Sequence, residues 1–153
     1  MLVTKKTQYT LRALLELAKQ YGNGPIKIAA IAEAQSIPMR FLEVILNQLK
    51  PTGWLVSKRG HYGGYQLSRP PQRINVGDVI RFLSRNHGSE YCTLNVRRFD
   101  CGLNGACAFL PMWQKVQESM FDVFDRTTLE NLMENEKVAM EAEVSEKALK
   151  LLG

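Results

Sequence analysis

Cys92, Cys101 and Cys107 fall within sixteen residues, with eight residues between the first two and five between the last two. Cysteine is a soft thiolate ligand, so a cluster of three can hold a metal, exchange disulfides, or simply fill buried space. The spacing contains none of the short C-x2–4-C pairs of simple tetrahedral zinc sites. Clustered thiolates suit iron–sulfur centres better. Arg97 and Arg98 share the segment with few acids, which favours thiolate over thiol. An odd number of cysteines excludes complete pairing, and a reducing compartment disfavours a disulfide framework. Three readings follow: cluster ligands, two thiols forming a reversible disulfide, or idle buried thiols.

A second group of residues has the chemistry to read nucleic acid. Leu42, Ile45, Leu46 and Leu49 recur at helical spacing, leaving Met39, Arg40, Glu43, Val44 and Asn47 free of the core. Arg can grip guanine bidentately, Asn can read adenine, and Glu can accept from the cytosine amino group. Residues near the start of a recognition helix reach deepest into the major groove, which favours Arg40 and Glu43. Downstream, Lys58, Arg59 and His61 lie among Gly60, Gly63 and Gly64, where the backbone can approach a phosphate or a narrow minor groove. Ser57 and Tyr65 offer hydroxyls to phosphates. The plainer alternatives are a solvated helix face and a glycine-rich turn with incidental charges.

The elements that must position these groups can be read from periodicity. One helix runs over Thr7–Tyr21 with Leu11, Leu14, Leu15 and Ala18 inward, ended by Gly22-Asn23-Gly24-Pro25. A short helix over Lys27–Ala34 follows, with Ile28, Ile31 and Ala32 as its apolar stripe. A turn at Gln35-Ser36-Ile37 leads to a third helix opened by Pro38. Two short helices joined by a tight turn form a helix-turn-helix. Trp54–Ser57 and Gly64–Leu67 make a hairpin. Asn75 caps a fourth helix carrying Val76, Val79, Ile80 and Leu83 inward. Residues 86–110 are irregular and hold all three cysteines. A long amphipathic helix begins near Pro111, with Trp113, Val116, Met120, Val123 and Phe124 as one stripe. Trp54 and Trp113 belong to core or interface patterns.

Charge divides the chain in the same place. Residues 1–90 carry thirteen Lys/Arg against five Asp/Glu, +8, while residues 91–153 carry seven against ten, −3. A basic front half suits a polyanion. Every apolar run is interrupted by charge before the ~20 residues a membrane span needs, and the N-terminus lacks the apolar core of a secretory signal. A cytoplasmic location is expected. No phosphate loop, metal-binding His-Glu helix or nucleophile–base pattern appears, so nothing points to an enzyme.

These residues also carry a resemblance. Ile31-Ala32, Ile37-Pro38, Phe41-Leu42-Glu43, Leu46, Leu49, Gly53, Ser57, Arg59-Gly60, Gly63-Gly64-Tyr65 and Leu67 together resemble the bacterial IscR/NsrR-type, or Rrf-two, winged-helix regulators. The opening Thr4-Lys5, Tyr9, Leu11-Arg12-Ala13-Leu14 and the later Asp125-Arg126-Thr127-Thr128-Leu129 extend it over residues 1–133. The resemblance implies a homodimer clasped through the long helix on a near-palindromic double-stranded DNA operator. In the iron–sulfur and nitric-oxide-sensing members three cysteines of this loop ligate a cluster, which assigns Cys92, Cys101 and Cys107 to a 2Fe–2S or 4Fe–4S centre. The first gap departs from those members, which usually have five residues there. Leu110 and Gln8 stand where some members have a fourth ligand. Glu33, His87, Asp100 or a small molecule are left as candidates.

The expected architecture is mainly α with a small β-hairpin wing, a winged helix-turn-helix plus a long dimerisation helix. Its parts are a DNA-binding domain over 1–85, a sensor loop over 86–110, a dimerisation helix over 111–133 and a charged tail over 134–153. The expected function is a transcriptional regulator, as a repressor, whose operator binding is controlled by a cluster sensing nitric oxide, iron or redox state. The alternatives are a cluster-free thiol/disulfide-sensing repressor and a redox or metal-handling module that does not bind DNA.

Overall fold

A computed structural model describes residues 4–85 and 107–151, with the backbone alone for residues 85 and 145–151. Cys92, Cys101, His87 and Asp100, and most of the expected sensor loop, lie outside the described residues.

Helix α1 (Lys5–Lys19) starts two residues earlier than its apolar pattern indicates, because the Thr4 side chain accepts from the Thr7 amide at 3.2 Å. Its buried face is Thr7, Thr10, Ala13, Leu14, Leu17 and Ala18. The expected stripe through Leu11 and Leu15 is therefore rotated, and both leucines lie at its margin. Two threonines can enter this face because their hydroxyls stay bonded; Thr10 donates to the Lys6 carbonyl at 2.8 Å.

Helix α2 (Ile28–Gln35) ends at Ser36, which adopts a left-handed conformation (φ 49°) while Ile37 donates its amide to the Ala32 carbonyl at 2.9 Å. That turn swings the chain into α3 (Met39–Leu49). Pro38 precedes its first turn and accepts from Phe41 and Leu42 at 2.9 and 3.0 Å. Leu42, Ile45, Leu46 and Leu49 are buried, as their spacing requires.

A tight turn over Lys50–Thr52 leads to strands β1 (Leu55–Lys58) and β2 (Gly64–Leu67), which pair antiparallel with Leu55 opposite Leu67 and Lys58 opposite Gly64. The first strand is one residue later than expected, and Trp54 instead packs into the core with an edge-on contact to Phe82 at 5.7 Å. The hairpin is anchored by Ile26, which exchanges two backbone hydrogen bonds with Tyr65, both 2.9 Å. A Cβ on Gly64 would overlap the Ile26 carbonyl, so only glycine fits there.

Helix α4 (Val76–Arg85) is capped by Asn75, whose side-chain oxygen accepts from the Asp78 amide at 2.7 Å. Two further helices follow, α5 (Leu110–Arg126) and α6 (Leu129–Leu151). The single helix expected over 111–133 is thus broken at Thr127-Thr128, and the expected division between 133 and 134 falls inside α6. The break has local causes. Thr128 and Asn131 cap α6 reciprocally, at 3.0 and 3.2 Å. Val76 donates its amide to the Thr127 carbonyl at 2.9 Å, and Leu129 donates to Ile74 at 3.0 Å. Leu129 is wholly buried in the same core as Leu14, Ile74 and Val79, so α6 begins as part of the winged domain. No helix among the described residues is long and apolar enough to cross a membrane.

Candidate nucleic-acid interface and cysteine segment

Met39, Arg40, Glu43 and Asn47 all lie on the exposed side of α3, with Met39 38% and the neighbouring Val44 54% exposed. The structure therefore gathers the sequence-derived helix residues on one accessible face. Phe41, also exposed, leans its ring on Tyr9 of α1, centroids 5.6 Å apart. This pairing fixes where the helix starts relative to α1.

Ser57, Lys58, Arg59 and His61 are exposed on the hairpin. Its tip is tightly turned: Gly63 donates to the Gly60 carbonyl at 2.9 Å, and a Cβ on Gly63 would overlap the Lys58 carbonyl. Gly60 takes φ 103°, a conformation that side-chain-bearing residues rarely adopt. Lys58 and Arg59 are consequently presented from a constrained turn. Tyr62, 89% exposed, stands beside them with its ring edge-on to His61 at 5.0 Å. Sequence reasoning passed over Tyr62, although its position between two glycine-bounded strands marks it as a tip residue. Tyr65 is placed differently from its neighbours. It sits at the base of the wing, half-buried against the core, with the Lys50 ammonium 5.6 Å from its ring centre.

Arg40, Lys58 and Arg59 have no ion-pair partner among the described residues. The cations of the helical seam are paired instead. Arg81 of α4 reaches Asp125 of α5 through both terminal guanidinium nitrogens, at 2.7 and 2.5 Å, and lies 4.5 Å from the Phe121 ring centre. Hydrogen bonding from Arg81 holds the Asp125 carboxyl below the usual carboxylate range. Gly77 admits this carboxylate, because a Cβ there would overlap Asp125. A second set of contacts ties α6 to α1 and α2. Lys19 binds Glu136 at 2.8 Å and Glu16 at 3.1 Å, Glu16 accepts from Gln35 at 2.8 Å, and Gln35 accepts from Arg12 at 3.1 Å. Burial pushes the Lys19 ammonium down, but its hydrogen bonds to Glu136 and Glu16 outweigh this and hold it above its ordinary value.

Cys107 is half-buried with a free thiol just before α5, its carbonyl accepting from the Leu110 amide at 3.1 Å. Glu33 is exposed on α2, Gln8 is exposed on α1, and Leu110 opens α5. Among the described residues no three His, Cys, Asp or Glu side chains are close enough to hold a metal. The donor set as a chemical inventory remains three cysteines in one segment of sequence, between α4 and α5. Trp113 is half-buried on α5, whose apolar residues Met112, Val116 and Val123 are 42–61% exposed.

Residues 3–135 match the family profile described as Rrf2, iron-dependent transcriptional regulator. The HTH-type transcriptional regulator CymR of Bacillus subtilis is 32% identical over 86% of this chain and 89% of its own length. Its solved structure, described as that of the global cysteine regulator, superposes with TM-score 0.71 over 87% of this chain and 96% of that one, at 29% identity. The regulator NsrR of Bacillus licheniformis is 31% identical over 89% and 94% of the two chains. The structure of T. potens IscR is similar with TM-score 0.73 at 32% identity, over 90% of this chain and 89% of that one. These relatives are regulators of transcription and not enzymes. The profile spans the winged domain, the cysteine segment and the start of α6 alike, and the chain belongs to the Rrf2 family of transcriptional regulators.

Proposed function

We propose that this chain is a cytoplasmic homodimeric repressor that binds a near-palindromic operator and releases or alters its grip according to the state of Cys92, Cys101 and Cys107. The observation carrying the DNA half of this reading is the set of unpaired, exposed cations Arg40, Lys58 and Arg59 on α3 and the wing. Arg40, Glu43 and Asn47 would read base edges, with Met39 at the start of the helix. Ser57, Lys58, Arg59 and His61 would line the adjacent minor groove and phosphates, and Tyr65 would support the wing from its base, its hydroxyl offered to a phosphate. The exposed apolar residues of α5 favour a second copy as their cover, since contiguous apolar surface marks an interaction site.

Cys92, Cys101 and Cys107 would hold an iron–sulfur cluster, 2Fe–2S or 4Fe–4S, with a fourth ligand drawn from Glu33, His87, Asp100 or a small molecule. When bound, such a centre supplies reversible reactivity toward nitric oxide, oxygen or iron loss. The chain's own residues carry the consequence. The cysteines lie between α4 and α5, the two helices that Arg81 and Asp125 clamp. A change in that segment acts on the clamp, and the clamp orients the winged domain on the dimer helix. Two recognition helices must meet half-sites about one DNA turn apart, so a small reorientation misaligns them.

The similarity to CymR favours a second reading, in which two of the three thiols form a reversible disulfide and no cluster is present. Anaerobic purification with iron and sulfide assay separates the two. The cluster reading expects both elements in stoichiometric amount, lost in Cys107→Ser. Their absence with three titratable thiols sinks it in favour of the thiol switch.

A further inference from the structure

We propose that Val44 recognises the 5-methyl group of a thymine in each operator half-site, an inference that rests on the DNA-binding reading above. Val44 is 54% exposed at the middle of α3, one turn after Arg40 and three residues before Asn47. It therefore shares the accessible face with Arg40, Glu43 and Asn47, while Leu42, Ile45 and Leu46 take the buried one. A β-branched residue in an exposed helix position is a poor helix former. The fold thus gains little from valine at this point. Phe41 and Met39 are exposed on the same helix, but Phe41 is engaged with Tyr9, and Met39 is 38% exposed against 54% for Val44. The three polar neighbours carry the donors and acceptors that suit guanine, adenine and cytosine edges. The one apolar group that any base presents in the major groove is the thymine methyl. An apolar side chain in the middle of a base-reading row has that methyl as its complementary partner.

Replacing thymine by uracil removes the methyl and leaves every hydrogen-bonding edge intact. Operator duplexes selected from random DNA by the full-length protein are resynthesised with each dT changed to dU in turn, and affinities are measured for wild type and Val44→Ala. At one thymine per half-site the change should weaken wild-type binding about fourfold, the order expected when one buried methyl group is removed. Val44→Ala should bind the dT and dU duplexes equally while keeping its preference for the guanine and adenine positions. Val44 is exposed, so the variant should melt with the wild type, which a thermal scan verifies. If no thymine shows the effect, or if Val44→Ala keeps the wild-type dT/dU ratio, the assignment to Val44 is overturned. If the protein selects no sequence at all, the DNA-binding reading itself fails, and this inference with it.

Discussion

The recognition face and the α4–α5–α6 seam use the same residue types in opposite ways. On α3 and the wing, Arg40, Lys58 and Arg59 stand exposed, without ion-pair partners among the described residues. At the seam Arg81 is committed to Asp125 and Phe121, and where α6 meets α1 Lys19 is committed to Glu16 and Glu136. Exposed ion pairs add little stability, so the seam's pairs matter more for orientation than for holding the fold together. Charges left unpaired contribute still less to folding, and remain available to displace counterions from DNA. Under the proposed function the first surface would meet DNA, while the pairs at the seam fix the angle between α4 and α5.

The contrast is sharpest in the buried residue under the seam. Leu129 is fully buried, and Leu129→Ala should cost about 2–5 kcal/mol in denaturant unfolding, the range for a core leucine. Substitutions at the recognition face should stay within about 0.5 kcal/mol in the same assay. A Leu129→Ala loss no greater than that would show that α6 is not part of the winged domain's core.

The base of the wing should behave as an intermediate case. Gly64→Ala forces a Cβ against the Ile26 carbonyl, and overpacking of this kind costs about 1–3 kcal/mol. Operator affinity should fall further than stability does, because the strain displaces the strand that carries the wing. Equal affinity for the variant in a gel-shift titration would detach the wing from DNA binding.

Arg59→Ala should leave the melting curve in place and act through salt. A phosphate that Arg59 no longer neutralises lowers the slope of log affinity against log salt by about 0.9, hence by roughly 1.8 for the two wings of a dimer. An unchanged slope removes Arg59 from the interface.

The smallest effect belongs to the clamp. Asp125 titrates below its ordinary range when folded, because Arg81 hydrogen-bonds its charged form. Its contribution is therefore complete above the unfolded value of about 3.9 and is lost as pH falls through the lower folded value. Arg81→Ala should remove this contribution at neutral pH and flatten the stability profile across the acid window, so that variant and wild type converge at its lower end. An Arg81→Ala profile that keeps the wild-type slope across the acid window would show that Arg81 does not depress Asp125.

How legible each region was follows from which forces shape it. The α3 stripe could be read outright, because burial alone sets the spacing of Leu42, Ile45, Leu46 and Leu49. The face of α1 could not, because hydroxyl bonding lets Thr7 and Thr10 into the core in place of Leu11 and Leu15. The break at Thr127-Thr128 was hidden by apolar residues continuing on both sides of it, and its signal was the local Thr128–Asn131 cap. The wing's cations were legible from composition and glycine punctuation. The different placement of Tyr65 was not, because it depends on pairing with Ile26, almost forty residues earlier in the chain. No pattern within the wing encodes that pairing.

If the cysteine segment governs the recognition face, operator affinity must follow the state of Cys92, Cys101 and Cys107. The decisive measurement is the operator affinity of the anaerobically purified protein before and after nitric oxide, compared with Cys107→Ser. Wild-type affinity should change within the roughly 5–150-fold range of allosteric coupling, and the variant's should not change. Identical wild-type affinity in both states would contradict that control.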